Sequence, residues 1–128
     1  MNAFYGRYHQ RTDFVCVYIT EAHAEDEWPI GGRHMGLSYN QPATLSAREN
    51  IACAFVRKHE FCVPVFLDAV GLSHLGLPDN AFEQAYAPWP LRFYILQAGR
   101  IQFIAQPEEC QFSLTELETR LQATLATD

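Results

Sequence analysis

The chain has 128 residues, of which 48% are hydrophobic and 19% are charged, and its formal net charge is −6. This length and composition predict one soluble globular domain that is large enough to bury a core. The negative charge argues against a nucleic-acid partner, because phosphate binding needs a basic face. The apolar runs are strand-sized, so we expect no membrane-spanning segment.

The four cysteines show neither Cys-x-x-Cys nor zinc-type spacing, so we expect no metal site. Cys16 lies in an apolar run and Cys53 in a helical pattern, and both are interpreted as small core residues. This use of cysteine favours a reducing, cytoplasmic compartment.

The first predicted elements are a helix and a strand. Residues 2–11 predict a short helix with aromatic side chains on one side. The apolar run 14–19 is typical of a strand that is buried on both faces. The irregular stretch 20–43 follows, and a loop of that length usually has a function; the alternative is a surface insertion.

A helix is then predicted over about residues 45–59, because Ser46 and Glu49 form a capping-box pattern ahead of an apolar stripe. The strand-like run 62–68 comes next. Within it, Pro64 indicates either an edge position or the start of the strand.

Three further elements are predicted before the last helix. Asn80 and Glu83 predict the start of a short helix that runs through Tyr86. Residues 92–97 and 100–105 predict a β-hairpin around a short turn that contains glycine.

The last predicted element is a helix that opens with a capping box formed by Ser113 and Glu116. Its leucines recur at helical spacing, which predicts core packing. These leucines are Leu114, Leu117, Leu121 and Leu125. The predicted order of elements is therefore α-β-α-β-α-β-β-α, an α/β protein.

The apolar strand run leads into Glu21-Ala22-His23 and then Asp26-Glu27-Trp28-Pro29. In open α/β sheets, ligands bind at the carboxyl ends of the strands. This sequence motif resembles that of the iodothyronine deiodinase family and its bacterial relatives. The resemblance covers nearly the whole chain and is most specific over residues 14–29 and 90–101. It implies a single thioredoxin-like domain over 1–128, a three-layer sandwich of the peroxiredoxin or deiodinase type that lacks its first central strand.

His23 is the predicted catalytic residue of this segment. An imidazole can hydrogen-bond a phenol or carboxylate and changes charge near neutral pH. By resemblance, His23 matches the histidine that deiodinases place near the substrate and the selenium, so we expect a hydrogen-bond or proton partner. The alternative is a loop histidine that caps the strand end. Glu21 and Trp28 are predicted to contact the substrate.

Arg92 and Pro90 are the predicted site residues ahead of the hairpin. Arg92 matches an arginine that the family pattern Arg-x-Tyr-x-Ile implicates in substrate binding, and a planar guanidinium suits a carboxylate or phenolate. The alternative is a salt bridge at the strand end. Pro90 stands where the wider superfamily has a proline that is usually cis, and the alternative is an ordinary trans bond.

The nucleophile is absent from the predicted site. The resemblance implies a cysteine or selenocysteine before the first helix, and residues 1–12 contain no cysteine. We therefore expect a chain truncated ahead of Met1, either a selenoprotein whose UGA codon was read as a stop or a natural inactive relative. Any signal or anchor would then lie upstream. Without the central strand, we expect residues 1–128 to be poorly stable, oligomeric, or completed by a strand from elsewhere.

The resemblance implies an oxidoreductase that removes iodide reductively from a small aromatic or halogenated substrate by means of a selenol or thiol. A thiol reductant serves as cosubstrate, and no other cofactor is expected. Two alternatives are a thiol peroxidase or disulfide reductase of the same fold and a catalytically inactive ligand-binding relative.

Overall fold

Residues 1–30, 39–68, 81–107 and 111–127 are described by a computed structural model of the chain. Their helices and strands follow one another in the predicted order, which confirms the α/β class. The elements are α1 (Asn2–Tyr8), β1 (Cys16–Tyr18), α2 (Leu45–His59), β2 (Val65–Leu67), α3 (Ala81–Tyr86), β3 (Phe93–Gln97), β4 (Arg100–Ala105) and α4 (Leu114–Leu125). They fall into two compact units, Met1–Trp89 and Pro90–Asp128.

In the first unit, β1 and β2 pair in parallel, with Cys16 opposite Val65 and Tyr18 opposite Leu67. Parallel neighbours need a crossover connection, and the chain between these two strands contains α2. The amide of Asp68 donates to the carbonyl of Tyr18 at 2.9 Å, which extends the pairing one residue past the end of β2. The carboxyl ends of β1 and β2 therefore lie at one edge of this sheet.

Helix α1 is anchored by aromatic packing and by Asn2. Phe4 and Tyr8 are buried one turn apart, and the ring of Phe14 meets that of Phe4 edge-on, with 5.9 Å between centroids. The Asn2 amide donates to the carbonyl of Glu60 at 2.9 Å and accepts from the amide of Cys62 at 3.1 Å. The helix thus contacts the chain where α2 ends.

The cap of α2 differs from the prediction. Thr44 is the N-cap residue, in an extended conformation, and its hydroxyl accepts from the amide of Ala47 at 3.1 Å. Ser46 lies inside the first turn, so its predicted role in a capping box is wrong. An N-cap side chain has to precede the helix to reach the free amides of the first turn, and Thr44 does.

Two expectations about the core of the first unit are wrong, those for the strand run and for Cys53. The strand is not buried on both faces, since β1 has three half-buried residues and the adjacent Val15 is 62% exposed. Among the described residues, β1 has one neighbouring strand, β2, so its side chains are less buried than those of a central strand between two neighbours. On α2, Cys53 and Leu45 are exposed, and the buried positions are Ala52 and Arg48. Pro64 directly precedes β2, as a strand start predicts.

In the second unit, β3 and β4 form the predicted hairpin, antiparallel, with Gln97 opposite Arg100. The connecting residues Ala98 and Gly99 have φ of 50° and 73°. Positive φ at both positions is typical of the two-residue turn that matches the twist of a hairpin. A β-bulge interrupts the register between Ile95 and Leu96.

Helix α4 packs on this hairpin through Leu117 and Leu121, which are buried together with Ile95. The hydroxyl of Ser113 accepts from the amide of Glu116 at 3.1 Å, which confirms the predicted N-cap. The predicted core role of Leu114 is wrong, because this side chain is 46% exposed in the first turn.

Some expectations lie beyond what the structure tests. The cap predicted at Asn80 falls outside the described residues. The thioredoxin-like arrangement stays a prediction, and so do the single domain and the absence of the first central strand. No described helix combines the length and apolar character that crossing a bilayer requires.

Candidate functional site

The candidate site is the loop that follows β1, and its innermost contact joins Tyr18 to Glu21. Tyr18 is the last residue of β1, and its phenol donates a hydrogen bond to Oε1 of Glu21. Burial is the main cause that raises the pKa of Tyr18 above its ordinary value, and the neighbouring Glu21 carboxylate raises this pKa further. The phenol is therefore a neutral donor at physiological pH.

His23 and Trp28 meet at the outer side of this loop. The amides of Glu27 and Trp28 both donate to the carbonyl of Ala24, at 3.2 and 3.1 Å, and this turn brings Trp28 back towards His23. Their ring centroids are 5.2 Å apart at an interplanar angle of 57°. Trp28 is 63% exposed and His23 is also exposed, so both rings are accessible to a ligand.

The contact between His23 and the backbone assigns the imidazole tautomer. Nδ1 of His23 lies 3.2 Å from the carbonyl oxygen of Trp28. A carbonyl only accepts, so Nδ1 carries the proton and Nε2 of the neutral ring carries the lone pair. His23 is therefore oriented to exchange a proton through Nε2.

Gln41 closes the loop, and the sequence reasoning missed it. Its side-chain oxygen accepts from the amide of Glu21, and its Nε2 donates to the carbonyl of Glu21, both at 3.1 Å. Nε2 also donates to a carboxylate oxygen of Glu27 at 3.1 Å, and the backbone amide of Gln41 donates to Oδ1 of Asp26 at 2.8 Å. Nothing in the local sequence pattern distinguishes this glutamine from any other loop residue.

A buried cation lies beneath the same strand end. Arg48 of α2 is 1% exposed, its Nη1 donates to the carbonyl of Asp68 at 3.4 Å, and its guanidinium carbon lies 5.8 Å from the centre of the Tyr18 ring. Asp68 is 4% exposed. The signal that could have revealed Arg48 is its position on the same helical face as Ala52, among core residues.

The cysteines of the first unit are Cys16, Cys53 and Cys62, and none of them lies in the loop after β1. Burial raises the pKa of the Cys16 thiol, which disfavours the thiolate. Cys53 lies on α2, and the exposed Cys62 contacts the carbonyl of Glu60 at 3.3 Å. Cys110 falls outside the described residues. Across the described ranges, no group of three or more His, Cys, Asp and Glu side chains could hold a metal ion.

The remaining predicted site residues belong to the second unit. Nη1 of Arg92 donates to the carbonyl of the preceding Leu91 at 2.7 Å, so this side chain folds back on its own backbone. Pro90 is the first residue of the unit. The structure therefore gathers Glu21, His23 and Trp28 in one loop, while the predicted proximity of Arg92 and Pro90 to that loop stays a prediction.

The comparison with known families decides the relationship. The model of the family described as iodothyronine deiodinase matches residues 2–124, nearly the entire chain. The chain belongs to the iodothyronine deiodinase family. This confirms the resemblance predicted from the strand-end motif.

A curated relative agrees with this assignment. The type I iodothyronine deiodinase of Xenopus laevis is 32% identical over 100 residues, which cover 78% of this chain and 35% of that protein. The chain thus spans about a third of the length of this deiodinase.

Proposed function

We propose that this deiodinase-family chain belongs to an oxidoreductase that removes iodide from an aromatic ring, with a selenol or thiol as the nucleophile. Membership of the family supports deiodinase-like function. The observation that carries the proposal is the exposed pair of His23 and Trp28, with the imidazole tautomer fixed by a backbone carbonyl. The pair belongs to the loop that follows β1, as does Glu21, which accepts from the phenol of Tyr18.

Each ring has a distinct role in this proposal. The indole of Trp28 offers a flat apolar face on which an iodinated ring can stack. Nε2 of His23 accepts the proton of the nucleophile or of a substrate phenol and, once protonated, returns it. Glu21 accepts the hydrogen bond of the Tyr18 phenol and supplies a carboxylate in the same loop.

The reaction balances as follows. The selenolate or thiolate attacks the iodine, the carbon–iodine bond breaks, and the ring carbon takes up a proton. A first thiol then displaces iodide from the resulting selenenyl or sulfenyl iodide, which leaves a mixed disulfide or selenenyl sulfide. A second thiol releases the enzyme nucleophile. In sum, one aryl iodide and two thiols give the deiodinated ring, a disulfide, iodide and a proton, without a further cofactor.

We propose that the nucleophile lies outside the described residues. The raised pKa of Cys16 supports this, because a thiol that stays protonated attacks iodine poorly. Arg92 is proposed as the anchor of a substrate carboxylate or phenolate, since its guanidinium is a permanent cation. A reducing compartment would suit the thiol cosubstrate.

The first experiment measures iodide release. The longest reading frame that contains the chain is expressed and supplied with an iodinated phenol and dithiothreitol. We expect iodide release, and we expect His23→Asn to lower kcat about 100-fold, the range typical of general acid–base catalysis. The matched control is His9→Asn at an exposed position after α1, which should keep the wild-type rate.

The second experiment separates the alternatives. Peroxide consumption faster than iodide release would favour a thiol peroxidase. For the 128-residue chain itself, quenching of Trp28 fluorescence by an iodinated phenol tests binding, with Trp28→Phe expected to abolish the response and Trp89→Phe to retain it. Binding without turnover by the longer protein would favour an inactive ligand-binding relative, and no binding at all would contradict the proposal.

A further inference from the structure

Arg48 is an unusual residue to find in the interior. Among the residues that the structure describes, it is the largest side chain with less than 2% of its surface exposed, and its Nε has no hydrogen-bond partner among them. Removing a charge and a polar donor from water is unfavourable by several kcal/mol unless other interactions compensate. The hydrogen bond to the Asp68 carbonyl is long, at 3.4 Å, and does not by itself offset that penalty. A contact other than this bond has to explain why a cation stands here.

The position of the guanidinium supplies that contact. It bridges the carboxyl ends of both strands of the first unit, with Asp68 after β2 on one side and the ring of Tyr18 on the other. A distance of 5.8 Å between the guanidinium carbon and the ring centre is within the range of a cation–π interaction. The backbone amide of Asp68 also donates to the backbone carbonyl of Tyr18, so the guanidinium lies where the two strand ends are joined.

The charges around the phenol agree with this geometry. Burial and Glu21 raise the pKa of Tyr18, Arg48 lowers it, and Tyr39 adds a smaller increase. Arg48 is thus the positive charge that acts on a phenol whose hydroxyl is already engaged by a carboxylate.

We propose that Arg48 is a positioning residue, whose buried guanidinium holds the ring of Tyr18 in the orientation that lets its hydroxyl donate to Glu21. Gln41 holds the backbone of Glu21 through two hydrogen bonds, so Gln41 and Arg48, which acts through Tyr18, together orient the Glu21 carboxylate. The inference rests on the proposed function, because this orientation affects turnover only if Glu21 belongs to the site.

The test observes the Tyr18 hydroxyl directly. Tyrosines are labelled with carbon-13 at Cζ, and spectra are recorded in an equal mixture of H2O and D2O. A hydroxyl that exchanges slowly gives two resolved Cζ signals, whereas a hydroxyl that exchanges fast gives one. Tyr18→Phe identifies the relevant signal. We expect a resolved pair for the wild-type chain, and a single line for Arg48→Met because loss of the ring contact speeds exchange about tenfold.

Two further variants separate positioning from general stability. Arg48→Lys keeps a cation and should retain the resolved pair in part. Arg57→Met makes the same substitution at an exposed position of α2 and should leave it unchanged. A resolved pair that persists in Arg48→Met would overturn the inference, as would a loss in Arg48→Lys as complete as in Arg48→Met.

A measurement on the wild-type chain keeps the test independent of whether Arg48→Met folds. We expect a nuclear Overhauser effect between the Nε proton of Arg48 and the ring protons of Tyr18, and its absence would overturn the inference. These signals do not require turnover. If they are present and iodide release fails, the proposed function is wrong while the role of Arg48 in orienting Tyr18 stands.

Discussion

Among single residues, three of the four carboxylates after β1 divide into two groups by their hydrogen-bond partners. Asp26 and Glu27 both accept hydrogen bonds from Gln41, and these contacts shape the loop. Glu21 accepts from the phenol of Tyr18 and precedes the predicted catalytic His23 by two residues in the chain. The acidic run is therefore a clasp around Gln41 together with one carboxylate that belongs to the candidate site.

The raised pKa of Tyr18 predicts a specific loss of stability in alkali. The folded chain keeps the phenol proton at a pH where the unfolded chain releases it, so the contribution is complete below the ordinary pKa near 10 and is lost as pH rises above it. Above pH 10 the free energy of unfolding should fall by at most about 1.4 kcal/mol per pH unit through this group.

Urea unfolding of the wild type and of Tyr18→Phe between pH 8 and about pH 11 checks this, since Phe removes the titration. The two free energies of unfolding should differ by a constant amount up to pH 9 and converge above about pH 10. Parallel curves through the alkaline range would contradict the raised pKa.

Gln41→Glu tests the clasp. The substitution removes the donor to Glu21 and Glu27 and places a third negative charge beside Asp26 and Glu27, so we expect the free energy of unfolding to fall by about 1–3 kcal/mol. Gln10→Glu makes the same change at an exposed position of the first unit and should fall within about 0.5 kcal/mol of wild type. Equal effects of the two substitutions in chemical denaturation would show that Gln41 does not hold the loop.

At the scale of elements, α2 and the hairpin show how local rules act. The hairpin turn needs positive φ at two consecutive residues, and Ala98 and Gly99 adopt 50° and 73°. For α2, the sequence offers two hydroxyl residues close together, and only Thr44 precedes the first turn. The position of each residue relative to the first turn, rather than its type, decides between these two caps.

The cap assignment gives a paired prediction on one helix. Thr44→Ala removes the acceptor for the Ala47 amide and should lower the free energy of unfolding by about 1 kcal/mol. Ser46→Ala leaves that bond in place and should have little effect, because alanine is the better helix former. Thermal denaturation of both variants distinguishes them, and a larger loss for Ser46→Ala would restore the predicted capping box.

At the scale of the whole molecule, the described strands form two separate two-stranded sheets. A two-stranded sheet is marginally stable without further packing. Several large apolar side chains on or beside the strands are exposed, among them Val15, Phe66, Leu96 and Ile104. Apolar surface of this kind favours association.

We therefore expect the 128-residue chain, expressed alone, to unfold in a broad transition or to form oligomers whose size increases with concentration. Light scattering after size exclusion and differential scanning calorimetry measure the two properties. A monomer with a sharp, cooperative melting transition would contradict this prediction.

Four features were predictable from the amino-acid sequence: the order of the eight described elements, the hairpin, the cap of α4 and the family. These features depend on residues close together in the chain, where periodicity, turn chemistry and capping act directly. The motif Glu21-Ala22-His23 with Trp28 belongs to the same group, because its residues occupy one loop.

Only the tertiary structure decided which side chains support that loop. Gln41 contacts Glu21, and Arg48 contacts Asp68, each across 20 positions of the chain. The burial of Arg48 and the exposure of Val15 likewise depend on how α2 and β2 pack against β1. Such contacts form when distant segments meet, and no local pattern records which segments those are.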